Sequence, residues 1–190
     1  MSTRVYLETG KAWTFACALD WPGWCRRGKG EDAALEALLA YADRYAAVGE
    51  RPDPELTVLG SVPGNGTTEF GVPAVVTPWE RPLGDSDLSR LRACWDAFDR
   101  VVATAPEALR KGPRGGGRDR DAIADHVREA ERAYGRKVGT TVPPRTPWPA
   151  QREQLLAALG SGTGTWPASY AVRRIAWHVL DHAWEIEDKS

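Results

Sequence analysis

Ala171-Val172-Arg173-Arg174-Ile175-Ala176-Trp177-His178-Val179-Leu180-Asp181-His182-Ala183-Trp184-Glu185 is the stretch on which the reading of this chain turns. Its apolar residues Ala171, Ile175, Val179 and Ala183, continued by Ile186, recur at spacings of three and four, the period of a helix that buries one stripe. His178 and His182 lie on or beside that stripe. Residues i and i+4 stand one above the other on a helix face, so both imidazoles can present nitrogens to one ion. The chain has three histidines in all, and the remaining one, His126, falls on a second helical segment whose inner side is marked by Ile123, Val127, Ala130 and Tyr134. An imidazole turned inward needs a partner. Three protein nitrogens would leave metal positions open for water or substrate, as catalytic sites do. The competing reading is three ordinary hydrogen-bonded histidines, because an i,i+4 pair is a short motif.

Working outward, the helical period begins at Asp85. Asp85 or Ser86 can cap a first helix through about Ala105, with Leu88, Leu91, Trp95, Phe98, Val101 and Val102 inward. Arg110 to Arg120 is a basic, glycine-rich loop, and its Arg114, Arg118 and Arg120 are candidates to bind a cofactor's carboxylates; a solvated connector is the simpler reading. Asp119 or Asp121 opens the helix carrying His126, which runs to about Val138. A third helix runs from about Pro149 to Leu159, and the histidine-pair helix from about Pro167 to Asp188. Four helical segments parted by Gly/Pro breaks predict an antiparallel four-helix bundle over residues 81–190.

Residues 1–80 read differently. Val5–Glu8 and Trp13–Leu19 look like two strands joined by a turn at Thr9-Gly10-Lys11, Asp20–Trp24 is a turn, and Glu31–Val48 is an amphipathic helix. Val58–Val62 and Gly71–Val76 are candidate strands either side of Pro63-Gly64-Asn65-Gly66. The expected fold class is α+β: a small N-terminal sheet-and-helix unit, then a helical bundle.

A net charge of -1, from 25 basic and 26 acidic residues, gives no pull toward nucleic acid or an anionic membrane, so neither is an expected partner. The N-terminus lacks a signal-peptide core and no apolar run reaches membrane-span length, which makes a cytoplasmic protein the expectation. Cys17, Cys25 and Cys94 are odd in number and lack a C-x-x-C, which argues against a disulfide framework; Cys17 reads as a small core residue. Nine tryptophans are many for this length, and Trp95, Trp177 and Trp184 read as core packing.

The stretch quoted above, preceded by Asp125-His126-Val127 and Glu131-Arg132-Ala133-Tyr134, resembles the DinB/YfiT-like superfamily of metal-binding four-helix bundles over roughly Arg81 to Ser190. That resemblance implies His126, His178 and His182 as ligands of a divalent metal, with zinc, nickel or iron the leading candidates. It also implies chemistry on a small-molecule substrate, either hydrolysis or transfer involving a low-molecular-weight thiol. Pro22-Gly23-Trp24-Cys25 and Gly28 to Leu38 resemble, more weakly, the HicB-like sheet-and-helix module. Asp125 and Asp181, each beside a histidine, are candidates to hold a ring N–H, and Glu131 and Glu185 are the nearest candidates for a general base; Glu131 and Asp181 are taken as the catalytic pair. The alternative function is a non-catalytic binding or regulatory module acting through the HicB-like unit. A homodimer is the candidate assembly.

Overall fold

The computed structural model describes residues 2–113 and 115–190. The protein is α+β and divides into two compact units, Met1–Arg81 and Pro82–Ser190.

In the first unit, β1 (Thr3–Thr9) and β2 (Thr14–Ala18) form an antiparallel hairpin, and β3 (Cys25–Gly28) adds antiparallel to β2. After α1 (Glu31–Ala40) and α2 (Ala42–Tyr45), β4 (Leu56–Pro63) pairs parallel to β1 and completes the order β3-β2-β1-β4. A parallel pair needs a crossover connection, and α1 with α2 supplies it. The helix packs on β2 and β3. Trp24, wholly buried, donates its indole N–H to Leu38 O at 2.9 Å, and Tyr45 donates its hydroxyl to Pro22 O at 2.8 Å.

Two expectations for this unit need correcting, and one strand lies where the sequence pattern shows none. Cys25–Gly28 is a strand, although Cys25-Arg26-Arg27-Gly28 shows no apolar alternation; it is an edge strand, where charged side chains are at home. The helix expected to run unbroken from Glu31 to Val48 stops at Ala40, resumes as α2, and closes with a 3-10 turn at Ala46–Val48. Gly71–Val76 is not a strand. Its backbone bonds go to a buried carboxylate on β1: Glu8, 0% exposed, accepts from Ala74 N at 3.0 Å and Val75 N at 3.1 Å, and from the hydroxyl of Thr68 at 2.5 Å. Thr68 belongs to the short α3 (Gly66–Glu69), capped by Asn65.

The second unit holds α4 (Asp85–Thr104), α5 (Arg120–Val138), α6 (Trp148–Ser161) and α7 (Ala168–Lys189). α7 packs against α4, α5 and α6. Its stripe Ala171, Ile175, Val179, Ala183 and Ile186 is buried, and so are Trp177, Leu180 and Trp184 on flanking positions. Leu91, Trp95 and Phe98 from α4, Ile123 and Val127 from α5, and Leu155 and Leu159 from α6 are buried as well. Gly139, in the left-handed region at φ 96, ends α5 where a side chain would be strained. No helix among the described residues is long and apolar enough to cross a membrane.

Candidate metal centre

The helical period that buries Ile123 and Val127 on α5 and Ile175 and Val179 on α7 sets where the histidines point. His126, half-buried, faces His178 and His182, which are 8% and 9% exposed. The Nε2 atoms of His126 and His178 are 3.2 Å apart, and each of the three rings offers a nitrogen within 4.8 Å of the others'. Ring centroids lie 4.6 to 5.0 Å apart. Metal–imidazole bonds near 2.0–2.1 Å at a tetrahedral angle place two ligand nitrogens about 3.3 Å apart. The His126–His178 spacing is therefore one that an ion between them would need.

Second, a carboxylate fixes one tautomer. Glu185 Oε2 lies 2.7 Å from His182 Nδ1. With the Nδ1 proton donated there, the lone pair of His182 is on Nε2, free for an ion, and the carboxylate behind the ring holds its orientation. The His182 hydrogen bond, followed by that from Lys189, holds the Glu185 carboxyl down at about 2. Burial, followed by the charge of Arg118, lowers the pKa of His126; burial, then His182 and Arg174, holds His178 well below its ordinary value. Neutral imidazole is the form that a metal takes. His178 Nδ1 is buried without a hydrogen-bond partner among the described residues.

No family model, no curated protein and no solved structure matches this chain. What the histidines can do thus rests on their own geometry and surroundings. Tyr134 meets His178 edge-on, with ring centroids 5.9 Å apart, and Trp166 tilts against Tyr134 at 5.5 Å. Arg174, one turn before His178, lies 5.4 Å from the Tyr134 ring and 4.9 Å from the Trp177 ring, where its cation is held by the aromatic faces.

The other sequence candidates are dispersed. Arg118 is exposed, has no hydrogen bond or ion pair among the described residues, and its charge is felt at His126 and His178. Arg120 is spent on the loop itself, donating to Ala105 O at 2.7 Å and pairing with Asp121 at 2.8 Å. Arg114 lies outside the described residues. Asp125 is exposed and Asp181 half-exposed, and the carboxylate hydrogen-bonded to the His182 ring is that of Glu185.

Glu131, expected as a catalytic acid or base, is placed in a different cluster. It is 0% exposed, and its Oε2 accepts from Trp148 Nε1 at 2.6 Å and from Arg152 Nε at 3.4 Å. Arg152 turns its Nη1 to both oxygens of Asp99, at 3.0 and 2.8 Å. Burial pushes the Glu131 carboxyl up while Arg152 and Trp148 oppose it. The cluster joins α4, α5 and α6, and its partners give Glu131 a structural task. The signal that would have found it was Trp148-Pro149-Ala150-Gln151-Arg152, a helix start that puts two donors and a cation on one turn.

Proposed function

We propose that this chain is a metal-dependent enzyme of the DinB-like kind, with a divalent ion held by His126, His178 and His182 and open positions at which a water or a low-molecular-weight thiol is activated. The observation that carries the reading is the convergence of three imidazole nitrogens within 4.8 Å, one of them oriented by Glu185. The ion would supply Lewis acidity, bringing the pKa of a bound water or thiol toward neutrality so that hydrolysis or thiol transfer runs at pH 7. The residues of the chain do the rest. Glu185 holds the His182 ring; Arg118 and Arg174 put positive charge beside the ligands and favour an anionic group, a thiolate or carboxylate, over a cation; half-exposed Asp181 is the remaining candidate for proton transfer. Imidazole ligation suits zinc, nickel or iron.

Metal analysis of the purified protein is the test. One equivalent of a divalent metal per chain, lost in His178→Ala and in His182→Ala while helix content by circular dichroism is kept, supports the reading. A metal-free protein that binds none on titration defeats it. In that case the second reading takes its place, a binding module acting through residues 1–80 in which the HicB resemblance lies. One observation favours it: among the described residues, the exposed large hydrophobic side chains Leu39, Val58, Phe70 and Val76 fall in that unit.

A further inference from the structure

Cys17 on β2 and Cys25 on β3 are direct partners in the sheet register. They are eight positions apart in sequence, with their Sγ atoms 2.7 Å apart. The neighbouring pair carries the ladder bond, since Ala18 N donates to Trp24 O at 3.0 Å, whereas Cys25 N donates to Gly23 O. Cys17 and Cys25 are therefore a non-hydrogen-bonded cross-strand pair, the closer of the two antiparallel kinds, with Cα atoms about 4.5 Å apart. That separation falls within the roughly 4.4–6.8 Å over which a disulfide closes without backbone movement. Spacing and cysteine count argued against a disulfide; register brings two of the three thiols face to face. The third, Cys94, is buried in the other unit on α4.

We infer that Cys17 and Cys25 are a reversible redox site that closes to a disulfide with a small peroxide as oxidant, stapling the edge strand β3 to β2. The side chains are 3% and 5% exposed, so a small, uncharged oxidant is the class that can reach them. Burial, followed by the hydrogen bond with Cys17, pushes the Cys25 thiol well up, which keeps Cys25 in the thiol form at rest. In the first step one cysteine releases its proton and attacks a peroxide oxygen as thiolate; the O–O bond breaks, the departing hydroxide takes up that proton and leaves as water, and the sulfur becomes a sulfenic acid. The second sulfur, giving up its proton, attacks the sulfenic sulfur; the S–S bond forms and the sulfenic oxygen leaves as a second water. Two thiols have lost two electrons and one peroxide has gained them. The bond fixes the turn between β2 and β3, which carries Pro22 and Trp24, the anchors of α1 and α2.

The test uses the full chain and hydrogen peroxide. Thiols open to an alkylating reagent after unfolding should fall from three to one, peptide mapping should join Cys17 to Cys25, and dithiothreitol should restore all three. Cys94→Ala should close the same bond, with its thiols falling from two to none. Three thiols surviving oxidation, oxygen adducts at Cys17 or Cys25 without a cross-link, or a bond to Cys94 would each overturn the inference. None of these readouts depends on metal binding, so the site stands or falls apart from the proposed function.

Discussion

His182 and His126 differ in what stands behind the ring. Behind His182 is Glu185 at 2.7 Å, itself tied to Lys189, so one tautomer and one ring orientation are fixed before any ion arrives. Near His126 is the exposed Arg118, a charge without a hydrogen bond to the ring. Glu185→Ala should therefore weaken divalent-metal affinity by about 10- to 100-fold, the usual cost of losing a carboxylate behind a ligating imidazole. Competition with a chromophoric chelator measures it, and circular dichroism should show the helices kept. Wild-type affinity in the variant would remove Glu185 from the centre. Sequence could nominate Glu185 and Glu131 alike, each a few positions from a histidine on the same helix. What separates them lies on other elements: Glu131 meets Trp148 and Arg152 of α6, contacts that no spacing within α5 encodes.

Between elements, β3 comes close to the start of α1 at Gly28. A Cβ built on Gly28 would stand 2.3 Å from the carbonyl carbon of Ala33 and 2.4 Å from Ala34 N, both backbone atoms that cannot swing aside. Gly28→Ala should cost about 1–3 kcal/mol, the range for forcing extra volume into a packed site. Gly66→Ala, whose added Cβ meets nothing within 4 Å, is the matched control and should leave the midpoint nearly unchanged. Denaturant titration followed by tryptophan fluorescence compares the two, and equal midpoints would mean that strand and helix are not locked at Gly28. The same contrast explains what was legible. α4 to α7 could be read from sequence because each carries a stripe of buried apolar residues at helical period, and β1 and β2 because of their apolar and β-branched runs. β3 could not, since a four-residue edge strand bearing two arginines has no pattern to read. Gly71–Val76 forms no strand despite its apolar run, because its backbone is tied to Glu8, a residue distant in sequence.

Over the whole molecule, every component of the proposed centre lies in one unit: His126 on α5, His178, His182, Glu185 and Arg174 on α7, and Arg118 on the loop before α5, all within Pro82–Ser190. The apolar stripes of four helices supply most of the stability there, so the ion is expected to be held by a fold that exists without it. Two outcomes are expected. Chelation of the full chain should remove metal and metal-dependent activity while the far-ultraviolet spectrum and the thermal midpoint stay close to those of the loaded protein; a chain that melts on chelation would make the metal structural. Residues 82–190 produced alone should fold, at a length sufficient for an independent core, and should bind one divalent ion with an affinity within about tenfold of the full chain, or 1.4 kcal/mol. Isothermal titration of both forms decides the matter. A folded segment that binds no metal where the full chain binds one would overturn the assignment of the centre to Pro82–Ser190 alone.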